Sequence, residues 1–132
     1  MNAVFADTSF YLALLRSDDS LYPRAIGELR KNRPIVTTEF IILELGNACC
    51  RAADHADFLA LIAGMRASER IAIAPLDSGL LDRGLDLFAS RSDKDWSLTD
   101  CISFVVMEDH GLREALTGDK HFEQAGFVAL LK

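Results

Sequence analysis

Four acidic residues in this 132-residue chain stand where a freely solvated carboxylate has little reason to be: Asp7, Glu44, Asp100 and Asp119. Asp7 closes the short apolar run Ala3-Val4-Phe5-Ala6. Glu44 lies within Phe40-Ile41-Ile42-Leu43-Glu44-Leu45-Gly46-Asn47-Ala48, and none of its helical neighbours three or four positions away is basic. Asp100 opens Asp100-Cys101-Ile102-Ser103-Phe104-Val105-Val106-Met107, and Asp119 follows Leu116-Thr117-Gly118 with Lys120 as its close basic neighbour. Taken singly, each has an ordinary explanation. Asp7 and Asp119 fit helix caps or turns, Ser97-Leu98-Thr99-Asp100 has capping-box spacing, and Glu44 can pair with Arg16 or Arg51. Taken together they suggest a shared site. Two carboxylates about 4 Å apart repel by about 4 kcal/mol at an effective dielectric near 20, so a converging set stays ionised only around a divalent cation. Oxygen donors without Cys or His select Mg²⁺, or Mn²⁺, over zinc. Such a site suits phosphodiester hydrolysis, because the ion acidifies a bound water and neutralises charge developing on phosphate.

The elements that must position these acids follow from hydrophobic periodicity. Short apolar strands are predicted over 3–6, 34–37, 71–74, 114–117 and 128–130, the third stopped by Pro75. Helices are predicted from a cap at Thr8 or Ser9 through about Leu15, and over 22–31, 39–53, 57–67, 77–89 and 98–108, with a short one around Phe122. Inner faces are assigned to Ala25, Ile26 and Leu29, to Phe58, Leu61, Ile62 and Met65, and to Leu80, Leu81, Leu85 and Phe88. Apolar strands alternating with helices imply one α/β domain over 1–132. Its expected architecture is three-layer α/β/α, with a central parallel sheet of about five short strands. Ligands in such folds bind beyond the carboxyl ends of the strands, which is where Asp7 and Asp119 fall.

Composition limits the alternatives. Half the residues are hydrophobic and 26% are charged, a globular balance with no disordered bias. The N-terminus offers no basic region or long apolar run, so neither a signal peptide nor a membrane span is expected, and the expected location is the cytoplasm. Cys49, Cys50 and Cys101 read as buried thiols on helices rather than a disulfide framework. His55, His110 and His121 are scattered, without zinc-ligand spacing. A net charge of −6 argues against gripping nucleic acid by bulk charge, although a carboxylate-held cation reverses the local field. Arg16, Arg51, Arg91, Lys94 and Lys120 are candidates to flank a cleft.

Ordered along the chain, the motifs form a resemblance. Ala6-Asp7-Thr8-Ser9-Phe10 resembles the opening of PIN domains, where an Asp ending the first strand is followed by Thr or Ser. Glu44 resembles that family's second acid, Ser97-Leu98-Thr99-Asp100-Cys101 the segment of its third, and Leu116-Thr117-Gly118-Asp119-Lys120-His121-Phe122 its fourth. Single domains of this size in the family include the VapC-type toxins of toxin–antitoxin pairs. The resemblance implies an Mg²⁺-dependent endoribonuclease with RNA as substrate, silenced by a cognate antitoxin and forming a homodimer. By the same analogy Asp7 and Asp100 are metal ligands, Asp119 serves metal or water, and Glu44 shapes the site or binds metal. Thr8, Ser9 and Thr117 are assigned to orienting carboxylates or contacting phosphate. Leu12, Leu14 and Leu15, or the helix of Phe58 and Ile62, are the candidate dimer faces. A non-catalytic PIN-like binding module is the alternative. A receiver-like phosphoryl-transfer domain fits less well, since Asp7 stands alone and the third strand ends in Ala74-Pro75.

Overall fold

Runs such as Val4-Phe5-Ala6 and Ile71-Ala72-Ile73-Ala74 are too short to make helices, yet they have no polar alternation that would leave one sheet face in water. In the computed structural model, which describes residues 2–132, they become strands of a single sheet. The strands are β1 (Val4–Ala6), β2 (Ile35–Thr38), β3 (Ile71–Ala74), β4 (Glu114–Leu116) and β5 (Val128–Ala129), in the order β3-β2-β1-β4-β5. Every pairing is parallel. Parallel neighbours need long crossovers, and helices provide them. These are α1 (Thr8–Leu15) and α2 (Tyr22–Leu29) before β2, α3 (Glu39–Ala48) and α4 (His55–Ala67) before β3, α5 (Ser78–Ser90) and α6 (Leu98–Asp109) before β4, and α7 (Lys120–Gln124) before β5. All residues of β1 and β2 are buried, so helices cover both sheet faces as the α/β/α expectation requires.

The strand order decides where a ligand can sit. From β1 the chain builds outward through β2 to β3, then returns to place β4 on the other side of β1. That reversal opens a crevice at the carboxyl ends of β1 and β4, the usual ligand position in open parallel sheets. Register aligns Ala6 with Leu116, which brings Asp7 level with Thr117 at the lip of this crevice. The Asp7 amide donates to the Leu116 carbonyl at 3.2 Å and extends the ladder by one rung.

An aromatic chain anchors the helices on the far side of the crevice. Trp96 meets Phe104 edge-on at 5.0 Å, Phe104 meets Phe122 at 4.9 Å, and Phe122 leans on Phe5 at 6.2 Å. Phe104 lies about one turn beyond Asp100, Phe122 follows His121, and Phe5 lies two residues before Asp7. The same core contacts that stabilise the domain therefore fix three corners of the crevice.

Several expectations change. Helix α3 ends at Ala48 rather than continuing to residue 53, followed by one 3-10 turn at Ala52–Asp54. The Arg16 guanidinium donates to the Ala48 carbonyl at 3.3 Å, satisfying one of the terminal carbonyls the helix leaves open. Cys50 is consequently exposed and outside the helix, whereas Cys49 and Cys101 are buried free thiols. In α5, Leu85 and Phe88 face outward at 43% and 48% exposure. The helix turns its Gly84 face to α6, so close that a Cβ there would stand 2.4 Å from Ile102 Cγ1. Leu29 likewise faces solvent. Leu12, Leu14, Leu15 and Phe58 are partly buried against the core, and Ile62 belongs to it. None of the described helices is long and apolar enough to cross a membrane.

Candidate active site

Asp7 occupies the N-cap position of α1, but its side chain makes no capping hydrogen bond. Its carboxylate instead reaches across the crevice. Oδ2 accepts from Thr117 Oγ1 at 2.9 Å and from Ser9 Oγ at 3.2 Å. The ordinary reading of this acid as a helix cap therefore fails. Burial pushes its pKa up to about 6 against an ordinary 3.8; the Thr117 hydroxyl and the Thr8 backbone oppose that rise, while the negative charges of Asp100 and Glu44 add to it. A residue with no cationic partner is thus held in a low-dielectric pocket, facing two other acids.

Thr117 is the hinge of this arrangement. Besides donating to Asp7, its Oγ1 accepts the Asp119 amide at 3.0 Å and lies 3.3 Å from Ser9 Oγ. Ser9 in turn accepts the Gly118 amide at 3.4 Å. The Thr and Ser hydroxyls thus couple the ends of β1 and β4 and set the angle of the Asp7 carboxylate. Thr8 performs the equivalent task for Glu44: its Oγ1 donates to Glu44 Oε1 from the first residue of α1. Neither Arg16 nor Arg51 forms an ion pair with Glu44 among the described residues, so a hydroxyl rather than a guanidinium holds this acid.

Asp100 and Asp119 serve as caps and also face the crevice. Asp100 completes a capping box, its Oδ2 accepting the Ser97 amide at 3.1 Å while Ser97 Oγ accepts the Asp100 amide at 3.0 Å. Asp119 caps α7 by accepting the His121 amide at 2.9 Å. Between the two carboxylates lies the His121 ring, with Nδ1 3.1 Å from Asp100 Oδ2 and 3.3 Å from Asp119 Oδ1. One donor atom from each of Asp100, Asp119 and His121 falls within a 4.8 Å group, the spacing of a metal-ligand set. Asp7 and Glu44 stand outside that group and face it electrostatically.

His121 is the residue that sequence reasoning missed as chemistry. Its signal was present in Asp119-Lys120-His121-Phe122, but an isolated histidine has no spacing partner until the fold brings Asp100 to it. Of the basic residues expected to flank a cleft, Arg91 is paired with Asp93 at 3.0 Å and lies over the Trp96 ring, and Arg16 is bound to α3. Arg51 and Lys120 are exposed. Among the described residues, the His121 ring is the only basic side chain within ion-pair distance of the four acids. This donor set fits a hard divalent cation. Two buried carboxylates, Asp7 and Asp100, and two partly buried ones, Glu44 and Asp119, have no Lys or Arg paired with them among the described residues.

The PIN domain signature matches residues 4–128, nearly the whole chain. The chain belongs to the PIN domain family. Its five-stranded parallel sheet is the fold that the resemblance implied. The 23S rRNA-specific endonuclease VapC20 of Mycobacterium tuberculosis is 27% identical over 126 residues, 95% of each chain. The crystal structure of M. tuberculosis VapC20, described as a toxin that cleaves the sarcin–ricin loop, superposes with a TM-score of 0.85 at 25% identity, covering 95% of this chain and 96% of that one. FitAcB from Neisseria gonorrhoeae shares the fold at a TM-score of 0.64 and 18% identity, covering 96% of this chain and 94% of that one. PIN membership also removes the receiver-like alternative, which requires paired acids after the first strand.

Proposed function

We propose that this PIN domain is a divalent-metal-dependent endoribonuclease that acts as the toxin of a toxin–antitoxin pair, with Asp7, Glu44, Asp100 and Asp119 as its working acids. The observation that carries the reading is the crevice itself. A buried, cation-free Asp7 is held by Thr117 and Ser9 at the sheet's switch point, facing Asp100 and Glu44. Asp7, Asp100 and Asp119 are the proposed metal ligands, with Mg²⁺ or Mn²⁺ as the ion. When bound, such an ion supplies Lewis acidity at phosphate and a more acidic water.

The chain's own groups do the positioning. Thr117 and Ser9 both engage Asp7 Oδ2 and so set the angle of its carboxylate. Thr8 holds Glu44 at the mouth of the crevice, where the carboxylate can accept a hydrogen bond from an attacking water. Asp100 and Asp119 are fixed by backbone amides, so little reorganisation is required when substrate arrives. Structured RNA is the proposed substrate class, and a ribosomal hairpin is the first to test, because VapC20 is named for cleaving 23S rRNA. An antitoxin that inserts a basic side chain among these carboxylates would silence the site by supplying the missing cation. The proposed setting is the cytoplasm, and the proposed assembly a homodimer.

The deciding experiment is cleavage of RNA by purified protein with Mg²⁺ or Mn²⁺, with EDTA, and with Asp7→Asn. Metal-dependent cutting that the substitution abolishes, with the fold retained by circular dichroism, supports the reading. Wild-type turnover by Asp7→Asn removes that residue from the site. No cleavage of any RNA with either ion, by protein that binds RNA, favours the non-catalytic module.

A further inference from the structure

His121 is held as firmly as the acids around it. Its amide donates to Asp119, and the following Phe122 is fully buried and packed edge-on against Phe104. The ring itself is one-fifth exposed, and its Nδ1 faces two carboxylates at 3.1 and 3.3 Å. A neutral imidazole has one hydrogen on Nδ1, which serves one acceptor well and a second poorly. Two carboxylates converging on one nitrogen therefore exceed what capping or a single hydrogen bond requires. Adjacent ligands of an octahedral ion with bonds of about 2.1 Å lie about 3 Å apart, close to both separations.

We propose that His121 is itself a metal ligand through Nδ1, which makes this centre a mixed nitrogen–oxygen site with Asp100 and Asp119 rather than an all-carboxylate one. In the metal-free chain the Nδ1 hydrogen lies between the carboxylates. When an ion binds, the neutral ring carries its hydrogen on Nε2 instead, and the Nδ1 lone pair points to the place that hydrogen held. The ring's proton count does not change. Imidazole ranks Mn²⁺ and later transition ions above Mg²⁺, so His121 biases the centre toward Mn²⁺. The inference rests on the nuclease reading only for the presence of a divalent ion.

Pulsed electron paramagnetic resonance on the full chain with one equivalent of Mn²⁺ tests this without reference to turnover. The expected result is nitrogen modulation from a directly bound imidazole, changed in character when the protein is grown with ¹⁵N-labelled histidine. It is lost in His121→Gln, whose Mn²⁺ dissociation constant by titration calorimetry rises about tenfold or more, with a smaller rise for Mg²⁺. Bound Mn²⁺ without nitrogen coupling, coupling that survives His121→Gln, or no Mn²⁺ binding at all would each overturn the assignment. The labelled wild-type measurement stands even if the variant misfolds. RNA cleavage is scored separately. Coupling without cleavage sinks the nuclease reading and leaves the ligand in place, and cleavage without coupling does the reverse.

Discussion

In metal-free protein, Asp7→Asn is expected to raise the melting temperature near neutral pH and to lose that advantage in acid. The wild-type carboxylate has a pKa pushed up to about 6 in the folded chain, chiefly by burial, against 3.8 when exposed. A raised carboxylate binds its proton more tightly in the folded state. Its contribution to stability is therefore fully present below the unfolded value and is lost as pH rises through the folded one. Above about pH 6 the folded chain carries the whole burden of a buried charge, and the gap between the two values corresponds to ~3 kcal/mol. Asparagine keeps a carbonyl to accept from Thr117 and does not ionise. For a domain of this size 1 kcal/mol moves the midpoint by roughly 3–5 °C, so the variant should melt ~10 °C higher at about pH 8. Melts followed by circular dichroism in EDTA at about pH 8, 6 and 4 read the difference directly, and groups not coupled to residue 7 cancel between the two proteins. A variant that melts lower than wild type at about pH 8, or a difference that does not shrink on acidification, would refute the account of Asp7 as a strained, desolvated acid.

Other substitutions separate the acids by what holds them. Although repulsion alone predicts that any of them is better neutralised, Asp100→Asn should destabilise the protein in EDTA by about 0.5–2 kcal/mol, read as a lower melting midpoint, because Oδ2 serves both the Ser97 amide and His121. Thr117→Val keeps the volume but removes the hydroxyl that joins Asp7 to the Asp119 amide; cleavage should fall about 10–100-fold, measured at saturating metal. Gly84→Ala should cost about 1–3 kcal/mol in a denaturant titration, since its Cβ would stand 2.4 Å from Ile102 Cγ1; an unchanged midpoint would mean that α5 and α6 are not closely packed. Mn²⁺ or Mg²⁺ at a hundredfold excess over its dissociation constant should stabilise wild type by about 2.7 kcal/mol and Asp7→Asn by much less, as read by thermal shift.

The sequence by itself determined the fold class and the strands and helices, and it singled out the four acids as candidates. Each of those signals is local or additive along the chain: an apolar run of four residues, an amphipathic repeat, an acid with no basic neighbour in reach. Helix ends and faces were less legible. The stop of α3 at Ala48 is met by Arg16, just past α1, bonding its last carbonyl, and the outward turn of Leu85 and Phe88 goes with Gly84 meeting Ile102. Neither partner is near in sequence. The roles of the acids were decided only by tertiary structure. Asp7, Asp100 and Asp119 all fit caps by spacing. Two of them do cap, while Asp7 does not, because parallel register places Thr117 opposite it and offers its carboxylate a better donor across the sheet. His121 meets Asp100 and Asp119 for the same reason. A ring 21 residues from Asp100 reaches it only because α6 and α7 are joined through Phe104 and Phe122.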